Sequence, residues 1–157
     1  MQRTYTAFIL TLLPSIAAGQ GGGSNRSPGT PPDIEITGLT AVRVGAPARL
    51  CPGPDNTVRV VVEARGLTVR AIPLRLSLVL PDGPPNGTLV AEGSVSVASG
   101  HASTFTFLHV EVPVRLRGRG AKLIARANAD QLIPEQDLAN DARQLDVDAA
   151  TDWRCRR

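Results

Sequence analysis

Half of the acidic residues in this 157-residue chain crowd into one stretch near its C-terminus. Asp130, Glu135, Asp137, Asp141, Asp146, Asp148 and Asp152 are seven of the fourteen, and Asn140 stands among them. Side-chain oxygens gathered on a loop suit a hard cation such as calcium, the one cofactor this composition raises. The spacing does not follow the EF-hand pattern, however, and the glycine that pattern uses for its sharp turn is missing. The same residue types also accept hydrogen bonds from nearby backbone amides and so cap a tight connection, with Pro134 limiting its conformations. Asp130, Glu135, Asp137, Asn140 and Asp141 are therefore candidates for calcium binding or for loop capping, and capping is the preferred reading.

The bases form a second concentration, at Arg115, Arg117, Arg119, Lys122 and Arg126. They could make a stripe that touches an anionic surface such as phosphorylated envelope polysaccharide, or simply a solvated face, which is the favoured account. The sequence pI of about 9.5 does not signal a nucleic-acid binder. Arg3, Arg26, Arg154, Arg156 and Arg157 lie near the ends, so 12 of the 17 bases face all 14 acids between residues 33 and 153. That stretch is close to neutral, and the few aromatic residues offer little on which bases could stack.

Cys51 and Cys155 are the two cysteines. With no C-x-x-C spacing and no histidine beside either, a disulfide is expected rather than a metal or redox pair. Closing a loop of roughly a hundred residues would stabilise by up to about 4.7 kcal/mol in the chain-entropy account.

Catalytic constellations are absent. The sequence has no Gly-x-Ser-x-Gly elbow, no His-Glu-x-x-His and no phosphate-cradling glycine loop ahead of a helix. His101 and His109 fall on one strand or its approach, and His109 shares an outward phase with Glu111. Phe105, Phe107 and Trp153 are the aromatics past residue 19; the phenylalanines read as core and Trp153 as packing near the disulfide. No exposed ring platform for sugars is expected.

The elements that must position these residues are strands. Ile34 and Ile36 face one way and Gly38 ends their run; Val58, Val60 and Val62 form the next row, and Leu74, Leu76, Leu78 and Leu80 the cleanest. Period-two alternation with a polar opposite side means half-buried strands. Pro81-Asp82-Gly83 and Pro84-Pro85-Asn86-Gly87 supply turns, and a weaker run spans residues 88–97. Between residues 103 and 117 the phase slips, from Phe105 and Phe107 to Leu108, Val110, Val112, Val114 and Leu116. A slip inside one run predicts a bulge or a strand changing sheets, and Pro113 predicts an edge. Leu123, Ala125, Ala127 and Ala129 then oppose Lys122, Arg126 and Asn128, and Leu145, Val147 and Ala149 oppose Gln144, Asp146 and Asp148. No helical period of useful length appears, so the predicted fold is an all-β, immunoglobulin-like β-sandwich of seven to eight antiparallel strands.

Residues 130–141, between the last two runs, resemble the closing segment of the bacterial cell-adhesion-related domain (CARDB), an immunoglobulin-like sandwich of secreted prokaryotic proteins. In that family an alanine-rich strand leads through an Asp, an apolar-x-Glu step and a closing Asn-Asn pair into the last strand. The matching positions here are Ala127, Asn128, Asp130, Ile133, Glu135, Asp137 and Asn140. Asp141 stands where the family has its second Asn, and Gly120-Ala121-Lys122 where it often has Gly-x-Tyr. In larger members such a domain is a spacer or adhesive repeat, so the resemblance implies a cell-adhesion or protein-binding role.

Ahead of the folded unit, residues 1–19 read as a signal peptide. Arg3 gives the positive n-region, residues 7–13 the apolar core, and small residues to Gly19 the cleavage site, cut after Ala18 or Gly19. That core is too short to span a bilayer. Residues 20–32, rich in Gly, Ser and Pro, read as a flexible tether, 33–155 as the sandwich domain and 156–157 as a basic tail. The expected protein is exported, periplasmic or extracellular, and non-enzymatic: an immunoglobulin-like module for protein binding or for cell-surface or envelope association. Two other readings stay open, a secreted inhibitor or accessory subunit of an exported enzyme and a weak calcium-binding envelope protein.

Overall fold

The computed structural model describes residues 31–42, 49–66, 68–149 and 155. The signal-peptide and tether readings for residues 1–30, the packing of Trp153 and the 156–157 tail lie outside them.

The alternating rows become strands because each can hide one face and hydrate the other. In chain order they are β1 (Asp33–Val42), β2 (Arg49–Leu50), β3 (Gly53–Arg65), β4 (Val69–Val79), β5 (Thr88–Val97), β6 (His101–Val112), β7 (Gly120–Ala127) and β8 (Ala142–Ala149). They form two sheets, β1-β3-β6 and β2-β8-β7-β4-β5. Val58, Val60 and Val62 from one sheet and Ile72, Leu76 and Leu123 from the other are fully buried. Each such side chain contributes on the order of 1.5–3 kcal/mol relative to exposure. The expected β-sandwich is therefore present, with one pairing that departs from the antiparallel rule: the two-residue β2 runs parallel to β8. Cys51, just after β2, is joined to Cys155 by a disulfide with the Cα atoms 5.4 Å apart. Among the described residues no helix is long and apolar enough to cross a membrane.

Three local expectations need correction. β1 does not end at Gly38 but continues to Val42, because a register shift between Ile36 and Gly38 restores the pairing with β3. The even row beyond Phe107 is also incomplete. Val58 pairs with Phe107 and Asn56 with Val110, so Leu108 and His109 together oppose Thr57. His109 takes up the extra residue at φ 55°. The slip is thus a bulge, which leaves β6 in one sheet and turns Leu108 outward, 64% exposed. Val114 is exposed too, on a single 3-10 turn, Val114–Leu116, that follows Pro113. Finally, β7 stops at Ala127; Ala129 is exposed in a turn, and Asn128, expected on the outward side, is 1% exposed.

Candidate functional site

Asn128 explains why the last loop has the shape it has. At φ 46° it occupies the left-handed region, which Asn tolerates better than most residues. The backbone reversal swings its side chain inward, where Oδ1 accepts the Ile133 N–H at 3.0 Å and Nδ2 donates to the Ile133 carbonyl at 2.7 Å. Nδ2 also donates to Oε1 of Glu135. The other carboxylate oxygen of Glu135 accepts the Ile34 N–H of β1 at 3.1 Å. Two residues on, the Ile36 N–H donates to the Asn140 carbonyl at 3.2 Å, and Asn140 Nδ2 donates to Asp33 at 3.1 Å. The loop between β7 and β8 therefore crosses to the other sheet and covers the open edge of β1, satisfying backbone groups that would otherwise invite pairing.

Asp130 and Asp137 have other partners, and Asp141 lies beside Glu135. Asp130 grips the Arg75 guanidinium with both oxygens at 2.7 and 2.8 Å, and Arg75 also donates to Glu92 at 3.0 Å. Asp137 accepts the Ala139 N–H at 2.8 Å, a turn of the kind its residue type predicts. Asp141 is buried at 8% exposure, its carbonyl accepting the Ala127 N–H at 2.8 Å and its Oδ1 without a partner among the described residues. Burial pushes its carboxyl up to about 7, helped by a hydrogen bond to Glu135 and by the negative charges of Glu135, Asp33 and Asp137. Glu135 and Asp137 thus each accept a backbone amide hydrogen bond, at Ile34 and at Ala139. Among the described residues no three of His, Cys, Asp and Glu come together in a way that could hold a metal ion.

The five bases divide into two groups. Arg115 lies in the 3-10 turn, Arg117 follows it, and Arg119 donates to Asp82 at 2.6 Å. Lys122 and Arg126 stand on the outer face of β7, four residues and so about 13 Å apart, where Lys122 faces Asp146 across β8. Acids are interspersed in both groups.

Two features were missed from sequence. Asn56 is buried at 5% exposure, accepting the Cys51 N–H at 2.6 Å and donating to the carbonyls of Cys51, Gly53 and Val110. Its signal was parity, since it is in phase with the inward row at Val58, Val60 and Val62, where a polar residue must find partners inside. The other is a cleft of about 240 Å³ lined by Leu78 and Leu80, by Thr88, Leu89 and Val90 of β5, and by Glu111, Pro113 and Arg115. It opens where β5 and β6, terminal strands of opposite sheets, diverge. At their other end they are closed together, Ser103 donating to the Ser96 carbonyl at 3.1 Å and Gly93 lying under the Phe105 ring, which would stand 2.4 Å from any Cβ placed there.

No family model matches this sequence, and no curated protein matches it. Solved structures do resemble it. The CARDB domain of a Pyrococcus furiosus protein, crystallised in complex with di-metal ions, superimposes with a TM-score of 0.59 at 16% identity, over 78% of this chain and 96% of that one. The chain has the CARDB fold. A domain of a candidate cell surface protein from Methanosarcina acetivorans gives a TM-score of 0.53 at 17% identity, over 76% of this chain and 92% of that one. At these identities the likeness is one of architecture, and it agrees with the family resemblance of residues 130–141.

Proposed function

We propose that this chain is an exported, non-enzymatic CARDB-like module that binds a protein or another component of the cell surface or envelope. The observation that carries the proposal is how the polar groups are used. The acids of the last loop hold that loop to β1 and β4 instead of converging on a substrate, while on the opposite side two facing strand edges and an apolar cleft stay open. Open edges and an apolar cleft are features of a recognition surface. The likeness to a domain of a candidate cell surface protein supports the same reading, and the disulfide fits an oxidising compartment. The di-metal ions belong to the Pyrococcus furiosus domain; here Asp130, Glu135 and Asp137 accept hydrogen bonds from donors of this chain, whereas Oδ1 of Asn140 and Oδ1 of Asp141 are buried without a partner among the described residues.

The test is capture from an envelope extract by the purified mature chain, with N-terminal sequencing of the exported product. A surface polymer or structural protein retained by the wild-type chain, and a new N-terminus after Ala18 or Gly19, are the expected results. Retention of an exported enzyme, with a change in its rate, would replace this reading by that of an inhibitor or accessory subunit.

A further inference from the structure

The cleft allows the partner's chemistry to be named, on the reading of the chain as a protein-binding module. Among the described residues β5 has a backbone ladder only with β4 and β6 only with β3, so no ladder joins the edges that face each other across the sandwich. They are held shut at Ser96 and Ser103 and at Gly93 and Phe105, and they part toward Thr88 and Pro113. Pro113 has no N–H to offer, which leaves β5 over residues 88–90 to supply the backbone; Val90 is the extra residue of a bulge there, since Leu89 pairs with Ser77 and Ala91 with Leu76 on β4. Behind it lie Leu78 and Leu80, and the half-exposed Leu89 lies at the rim. The charges on the walls are opposed. Arg115 forms no ion pair among the described residues and lines both this cleft and an adjoining one of about 110 Å³ that contains Arg119, whereas Glu111 stands on the β6 side.

We propose that this mouth takes an extended segment of a partner protein, which adds its backbone to the edge of β5 at Thr88–Val90, seats an apolar side chain against Leu78 and Leu80, and presents a carboxylate to Arg115. An extended strand satisfies the edge hydrogen bonds that a free acyl chain could not. Glu111 repels an acid placed at its own end, so the segment has a fixed direction.

The test uses a fluorescein-labelled hexapeptide of alternating valine and threonine ending in aspartate, titrated with the full chain by fluorescence anisotropy. The same peptide ending in an amidated lysine and a version N-methylated on alternate amides are compared with it. The acid-ended peptide is expected to bind, the other two about tenfold or more weaker, and R115E to reverse the preference for the end group. Amide shifts of residues 88–90 and 111–115 in NMR spectra mark the place. Failure of the acid-ended peptide to bind at millimolar concentration, or binding indifferent to both N-methylation and R115E, would overturn the proposal. Envelope capture separates the two levels of inference. If R115E retains the wild-type partner undiminished, this site is wrong and the module reading stands; if the wild-type chain retains nothing, the module reading itself fails.

Discussion

Replacing Asp141 by Asn should make the protein more stable at neutral and alkaline pH and leave it unchanged in acid. Asp141 sits 8% exposed beside Glu135, with Asp33 and Asp137 adding negative charge, and burial is the largest reason its carboxyl titrates near 7 instead of 3.8. The folded state thus holds a proton that the unfolded chain releases between those two values. A raised folded-state pKa gives stability that is complete below pH 3.8 and is lost as the pH rises to about 7. Taken whole, that displacement would correspond to about 4 kcal/mol. Solvent screening at the rim of the loop reduces it to about 1–2 kcal/mol. An Asn at this position keeps the shape, can donate to Glu135 as the protonated acid does, and never ionises; it is also the residue that the CARDB pattern has there. Urea unfolding followed by far-ultraviolet circular dichroism, with the disulfide intact, measures both proteins from pH 4 to pH 8. The variant should match the wild type at pH 4 and exceed it by about 1–2 kcal/mol at pH 8. A wild-type stability flat between pH 5 and pH 8, or a variant weaker at pH 8, would refute the reasoning.

Other perturbations test the supports of the fold. Asn56→Ala removes the partner of four backbone groups around Cys51 and the β6 bulge; it should cost about 2–4 kcal/mol in urea unfolding and speed reduction of the disulfide by dithiothreitol. Asn128→Ala deletes three hydrogen bonds and puts a less tolerant residue at φ 46°. The expected loss is about 2–3 kcal/mol, with faster hydrogen exchange at the Ile34 and Ile36 amides that the loop covers. Gly93→Ala forces Phe105 away from β5 and disturbs its edge-on contact with Phe107 at 4.8 Å; a decrease of about 1–3 kcal/mol is expected in thermal or urea unfolding. Removing the 104-residue link by Cys51→Ser with Cys155→Ser should destabilise by up to about 4.7 kcal/mol, read as a lower urea midpoint.

Sequence alone determined the all-β class, the inward rows at Ile34, Val58, Leu74 and Leu123, and the position of the phase slip after Phe107, because side-chain alternation depends only on the local pleat. It also picked out the one pair of cysteines and the polar character of residues 130–141. Tertiary structure decided the rest. Whether an acid binds an ion or an amide depends on which strand its loop crosses, and that loop is laid over β1, about a hundred residues away in sequence. Asn128 was misplaced because a single left-handed residue reverses the phase that alternation assumes. The cleft could not be foreseen either: it arises from two terminal strands of different sheets parting at one end, and no periodicity within either strand records how far it stands from the other.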